Sequence, residues 1–302
     1  MNRRLMPAVL AATTLFAGPA FAHAVAGARV FVNTDLIDDP GVGDEANLPL
    51  VSLQNPDGKS WVTDANLEYD KTITPNLGFG IGDDWNWIAH DLNDSNKNHG
   101  GWSDLYVQLK YRWITSAEHE FMSSVQVTQA FGRAGTVGFE SGFNTTTVSG
   151  FFGKGMGDIP WDPIRPFAIT GELDYHMPNT GPMAGGNITT WSGGLSLQYS
   201  IPYLQSQIKD YGLPSILGNL TPVAELAWSS AAGSSALGIN NPTSYLAGTG
   251  AVWTGRYYSF SAEILWPLNG AAGHNMGVIG QFHLYFDDLL PNSLGKPISE
   301  WW

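Results

Sequence analysis

The chain has 302 residues, of which 27 are acidic and 14 basic, and it contains no cysteine. The acidic balance argues against a nucleic-acid partner, which needs a basic face, and the missing cysteine excludes disulfide frameworks and thiolate chemistry. Only 14% of residues are charged, while glycine (36) and tryptophan (12) are abundant; this suits a chain in which apolar and polar residues alternate, so that averaging hides the apolar ones.

The first 22 residues read as a signal peptide. Arg3 and Arg4 precede an uncharged apolar run at 5–16, and Ala20-Phe21-Ala22 has the small-x-small form of a cleavage site, with Ala22-His23-Ala24 a second one. A retained anchor is the alternative; the run is short for a membrane helix and is broken by Gly18 and Pro19. Cleavage removes two arginines and no acid, leaving 27 acidic against 12 basic residues, a net charge of -15.

Segment 23–60 has little periodicity. Its Asp35, Asp38, Asp39, Asp44 and Glu45 form an acidic cluster. Calcium takes several carboxylate oxygens, but no defined calcium loop is present, and a solvated acidic segment is expected.

From residue 61 onward, apolar residues recur at every second position, the period of a strand. Leu67, Tyr69 and Ile73 face away from Asp64, Glu68 and Asp70. Leu109, Tyr111 and Trp113 face away from Gln108, Lys110 and Arg112. Leu173, Tyr175 and Met177 oppose Glu172, Asp174 and His176. Phe260, Ile264 and Trp266 oppose Ser261 and Glu263, and Phe282 and Leu284 oppose Gln281 and His283. Weaker alternation marks 77–87 and 191–201. Many of these segments reach the roughly 9 to 11 residues that cross a bilayer at a tilt. After residue 22 no stretch approaches the 18 apolar residues of a membrane helix.

Counted back from the C-terminus, the pattern gives eleven strands, with 143–152 a poor one. Single-chain bacterial barrels have even strand numbers, so a twelfth lies before Trp61, within 28–37 or 46–54. The expected fold is all-β: a single antiparallel transmembrane β-barrel of about 12 strands, with 10 as the alternative. The expected layout is a signal peptide at 1–22, an N-terminal segment at 23–60 holding a first strand or a lumen plug, the barrel at 61–286 and a tail at 287–302. With both termini inside, most short links fall inside and most soft polar ones outside. The links at 153–163 and 202–219 are long exceptions, the second with a short helix expected at 203–211. Tyr111, Trp113, Trp253, Tyr257 and Tyr258 fall near inner ends, and Trp85, Trp87, Trp191, Trp228 and Trp266 near outer ends, as two interfacial girdles require. A soluble β-sandwich with an aromatic core stays open as the alternative.

The inward faces carry Asp64, Glu68, Asp70, Lys110, Arg112, Glu172, Asp174, His176, Glu225, Glu263 and His283. Rings of charge set pore selectivity; alternatively, inward charges pair with one another in a plugged barrel. Lys110 and Arg112 stand out among so few cations, and either pair with carboxylates of strand 61–73 or select anions. The seven histidines form no zinc spacing, and no Gly-x-Ser-x-Gly occurs. Asp91-Leu92-Asn93-Asp94-Ser95-Asn96 lacks the glycine and glutamate of a calcium loop. Neither metal nor cofactor is expected, and no catalytic residue is assigned. His90, His99 and Ser103 are the candidates if the barrel is an enzyme acting on lipid or peptide.

Several stretches resemble a family of outer-membrane proteins named for the meta-pathway of phenol degradation and often labelled transporter. These are Asp38-Asp39-Pro40, Gly153-Lys154-Gly155-Met156-Gly157-Asp158-Ile159-Pro160 with Arg165-Pro166-Phe167-Ala168, and the tail from Leu284 to Pro297. The final Ile298-Ser299-Glu300-Trp301-Trp302 departs from that pattern. The resemblance implies passage of small, aromatic or hydrophobic solutes across the Gram-negative outer membrane. A non-enzymatic channel is therefore expected, with membrane lipid, a small solute and the barrel-insertion machinery as partners. A barrel enzyme and a non-conducting structural barrel are the alternatives.

Overall fold

The computed structural model describes residues 24–90, 98–179, 188–232 and 242–301. The segment read above as a signal peptide and the Asp/Asn-rich 91–97 lie outside them.

Two short strands, β1 (Ala24–Ala26) and β2 (Arg29–Phe31), form a hairpin. Its turn needs Gly27, which has a φ of 66°. The main sheet then runs through β3 (Glu45–Gln54), β4 (Trp61–Thr74), β5 (Leu77–Ala89), the short β6 (Asn98–Trp102), β7 (Tyr106–Ser116), β8 (Phe121–Ala130) and β9 (Thr145–Gly155). It continues through β10 (Phe167–Pro178), β11 (Thr190–Tyr199), β12 (Leu220–Ala231), β13 (Ser244–Thr254), β14 (Tyr258–Pro267) and β15 (Gly277–Tyr285). Neighbours pair antiparallel, and β15 pairs with β3, placing Val278 opposite Leu53 and Leu284 opposite Ala46. The sheet is thus a closed barrel of twelve strands without a free edge. β6 is extra: it pairs with the outer half of β5, while β7 takes the inner half.

Polarity is inverted relative to a soluble protein. Leu109 and Val127 on the outside are 53% and 49% exposed, whereas Thr170 and Ser196 inside are 0% exposed. A soluble sandwich buries its leucines and solvates its hydroxyls, so this distribution rules that alternative out and fits a barrel in lipid. Exposed Tyr111, Trp113, Tyr257 and Tyr258 ring one end, and Trp85, Trp87, Trp191 and Trp266 the other.

The twelfth strand is β3, the second of the two expected positions. Glu45 and Asn47 pair with the inward Asp70 and Glu68, but Leu50 and Ser52 pair with the inward Asn66 and Asp64. Odd residues therefore face in before Pro49 and even residues after it. Pro49 sits in the register shift between Asn47 and Leu50, where its missing N–H costs no ladder bond.

Residues 24–44 run through the lumen, not outside it. Ala24, Ala26 and Phe31 pack on Met122 of β8 and Ala168 of β10, and Val32 packs on Val223 and Val252. Glycines in the wall make the room: a Cβ on Gly194 would lie 2.3 Å from Ile37 Cδ1. The two long inner links close under the hairpin. Arg29 donates to Glu120 Oε2 at 3.1 Å and to the carbonyls of Pro166 and Arg165, and its guanidinium lies 3.8 Å from the Tyr203 ring centre. Tyr203 ends a short helix, Ile201–Tyr203, that continues as the π-turn Leu204–Ile208. These links are long because they hold the plug, which accounts for the two exceptions.

After β15 the chain forms a helix, Phe286–Leu289, and a 3-10 turn, Ile298–Glu300. Phe286 packs edge-on against Tyr69, and Lys71 Nζ donates to the carbonyl of Lys296 at 2.9 Å. The tail thus lies under β4 at the inner end.

Candidate lumenal site

The inward carboxylates of three strands act as acceptors for the crossing segment. Glu225 of β12 accepts from the Thr34 hydroxyl at 2.5 Å and from the Leu36 N–H at 3.0 Å. Glu263 of β14 accepts from the Asp35 N–H at 3.4 Å, and Glu172 of β10 from the Asp38 N–H at 3.0 Å. His283 Nε2 of β15 lies 3.0 Å from Glu45 Oε2, an ion-pair distance without hydrogen-bond alignment. Gln198 of β11 brackets Val32, accepting from its N–H and donating to its carbonyl. A segment without secondary structure thereby satisfies its backbone inside a barrel.

Lys110 of β7 does not pair with the β4 carboxylates. Its Nζ donates to Asp38 Oδ2 at 2.8 Å and to the Asp39 carbonyl at 2.7 Å, and lies 4.4 Å from the Phe151 ring centre. Among the described residues, Arg112 pairs with no carboxylate either. It donates to the Pro75 carbonyl and to Asn76 Oδ1 at the inner rim, so it sits apart from the other candidates.

The acidic cluster is not a solvated segment. Asp35, Asp39 and Asp44 are all buried. Asp44 accepts from Lys71 Nζ at 2.6 Å, from the Thr72 N–H at 2.6 Å and from the Thr72 hydroxyl at 2.8 Å. Burial pushes the Asp35 carboxyl up to about 7; a hydrogen bond from Ser261 opposes this and the Glu263 charge adds to it. Burial, then the Glu45 charge, pushes Asp39 to about 7 as well, with Lys110 pulling the other way. Among the described residues, no three His, Asp or Glu groups are arranged to hold a metal ion.

On the outer side of the crossing segment lies a cavity of about 360 Å³. Glu68, Glu172, Asp174 and His176 line it together with Asp35 and Asp38. Tyr106 donates to Glu68 at 2.6 Å, and Gln108 to Asp70 at 3.1 Å. Asp64, opposite Ser52 and Asn86, lies further toward the outer end of β4. A gap of about 20 Å³, room for roughly one water, shares Asp38, Glu68 and Gln108 with this cavity and adds Asp70 and Lys110. It shares Val42 in turn with an inner cavity of about 520 Å³ lined by Arg112, Arg256 and the tail.

His176 carries the arrangement closest to a catalytic one. Its Nε2 is 2.7 Å from Ser192 Oγ and its Nδ1 2.9 Å from Thr147 Oγ1, while the Ser192 hydroxyl donates to Asp174 at 3.1 Å. With that single proton on Asp174, Ser192 accepts from the imidazole. A nucleophilic serine needs the reverse: its proton on the imidazole and the acid on the far ring nitrogen. Of the other enzyme candidates, His90 follows the end of β5, His99 packs on Phe139 and the Ser103 N–H donates to the Asp84 carbonyl.

Fold and lumen define a class: a closed twelve-stranded barrel with lipid-facing walls and a polar, plugged interior, matching Gram-negative outer-membrane proteins. No protein-family model and no curated protein matches the sequence. Among solved structures, the fold resembles an outer membrane channel from Pseudomonas putida F1 at 10% identity and a TM-score of 0.59, over 85% of this chain and 100% of that one. The KdgM porin follows at 9% identity and a TM-score of 0.47, over 80% of this chain and 98% of that one. LpxR from Salmonella typhimurium matches at 9% identity and 0.41, over 76% and 90%. The fold assignment rests on the first.

Proposed function

We propose that this chain is a passive channel for small solutes in the Gram-negative outer membrane, exported by its first 22 residues and seated by the barrel-insertion machinery. The observation that carries the proposal is the series of three adjoining cavities along the β4–β7 wall, narrowing beside Lys110 and Asp38. A purely structural barrel has no need of a polar cavity on each side of a one-water constriction. The channel with the similar fold supports the same reading, as does the resemblance to the phenol-pathway family, which adds small aromatic solutes as the cargo class. On this reading Glu68, Asp70 and Lys110 line the narrowest part of the path. Glu172, Glu225 and Glu263 seat the plug, which must shift for anything larger than water to pass.

Full-length protein in a planar bilayer tests this. Discrete conductance steps are expected. A chain that inserts, resists heat-free SDS as a folded barrel and stays silent at all voltages is a structural barrel, and the proposal fails.

A further inference from the structure

The cavity on the outer side of the plug has a one-sided charge pattern. Five carboxyl groups line it, on Asp35, Asp38, Glu68, Glu172 and Asp174, and no lysine or arginine does. The nearby Lys110 balances one of the five, Asp38, and donates to the Asp39 carbonyl, which leaves the other four lining carboxyl groups without a cation beside them among the described residues. A low-dielectric wall of one sign focuses potential and concentrates ions of the other sign.

Two further observations point to an occupant. Gln126 is 8% exposed and Asp35 5%, and both line the cavity. Yet Gln126 Oε1 and Asp35 Oδ2 have no hydrogen-bond partner among the described residues. Buried acceptors are normally satisfied; both oxygens are closed off from the cavity space itself, so a donor on a ligand reaches them once the side chains turn toward it. The ring of Tyr106 forms part of the same wall, and aromatic faces attract cations. Donor-seeking oxygens, unbalanced carboxylates and a ring face call for a ligand that carries positive charge, N–H donors and some apolar surface. A volume of about 360 Å³ suits a small molecule.

We infer that the outer cavity binds a small organic ammonium ion, an aliphatic or aryl amine, in preference to the corresponding acid or alcohol. The inference deepens the channel proposal and rests on it for the route by which solute arrives. It differs from passage of aromatic solutes in general because it selects by charge: an aromatic acid is repelled by the same walls.

Three probes of nearly equal size isolate the charge: benzylamine, benzyl alcohol and benzoate. Binding to full-length protein in detergent is measured by calorimetry at low salt, independently of conduction. Benzylamine is expected to bind at least tenfold more tightly than benzyl alcohol, with benzoate not binding, and its affinity should fall as salt is added. The double variant E68Q/D174N, which keeps the size of both side chains and the hydrogen bonds from Tyr106 and Ser192, should lose most of that preference. In the bilayer, potassium should permeate several-fold better than chloride, and benzylamine should block the current. Equal binding of the three probes, a preference for benzoate, or a benzylamine affinity unchanged in the double variant overturns the inference. If the protein never conducts but binds benzylamine selectively, the ligand class holds and the channel reading fails; if it conducts without charge preference, the reverse is true.

Discussion

Lys110 and Asp38 meet at 2.8 Å inside the barrel, and the main-chain N–H of Asp38 donates at 3.0 Å to Glu172, three strands further round the wall. One residue of the crossing segment is thereby held from β7 by charge and from β10 by a backbone hydrogen bond. Both contacts stand beside the constriction, so the residues that narrow the path also hold the plug across it.

Replacing Lys110 by Met removes the charged half of this hold. The Asp38 side chain is partly open to water, so the loss amounts to about 1 kcal/mol, which makes displacement of the crossing segment several-fold more frequent. Single-channel open probability is the readout. The same increase is expected for D38N, and the double variant should add little to either single change, as for any two residues acting through one contact. Unchanged gating in K110M would separate the ion pair from plug retention.

Asp44 and Lys71 form the buried counterpart of that pair, and neither has water to replace its partner. Removing one charge leaves the other uncompensated, a cost of about 3–5 kcal/mol. D44A should therefore unfold in vesicles at markedly lower urea than the native chain, and D44N/K71M should recover more than half of the difference. Asp287 touches the same centre: its carboxyl is pushed up to about 9 by burial, then by its contact with the Asp44 carboxylate. Between the ordinary value of 3.8 and about 9 the folded chain holds a proton that the unfolded chain has released, so stability falls steadily across that window and levels off above it. D287N should match the native chain near pH 3.5 and exceed it by a growing margin from pH 5 to pH 9.

Most strands from β4 onward are legible because a barrel in lipid enforces one face per parity, and the alternation at Leu109 and Lys110 or at Leu173 and Glu172 is its direct imprint; β9 carries the pattern poorly and β6 leaves no such imprint. β3 was required by the even strand number but hidden by pattern, since Pro49 reverses the phase halfway along and the two halves cancel. The plug left a weaker trace. Its residues follow no period because each meets a different wall, Val32 meeting Gln198, Thr34 meeting Glu225 and Asp35 meeting Ser261. Acidic residues in such a segment read as solvated until their partners on distant strands are known. For the same reason the sequence leaves Lys110 open between pairing with the β4 carboxylates and selecting anions: it shows which face the residue occupies, not that residue 38 returns to meet it.

The two raised carboxyls on the crossing segment make its seating sensitive to pH. Asp35 and Asp39 have values near 7 when seated, against an ordinary value of 3.8 when released into water. Between those values the seated form holds protons that the released form has lost, so seating weakens as pH rises toward 7. Open probability should therefore be lowest near pH 4, rise as pH climbs toward 7 and level off above it. D35N should flatten part of the rise by removing the charge beside Glu263, and an opening that increases on acidification would reverse the assignment.

Val127 and Thr128 are neighbours on β8 that face opposite solvents. Val127 stands in the lipid-facing band, and Thr128 lines the acidic outer cavity. An arginine at 127 places a charge against hydrocarbon, which costs about 2 kcal/mol or more toward the bilayer centre. An arginine at 128 meets carboxylates and water, so its cost to folding is small. V127R should thus lower the unfolding midpoint in vesicles, while T128R keeps the native midpoint and abolishes benzylamine binding by supplying the cavity with its own cation. Equal destabilisation by both would mean that the two faces of β8 do not separate lipid from lumen, and the barrel's orientation in the membrane would have to be redrawn.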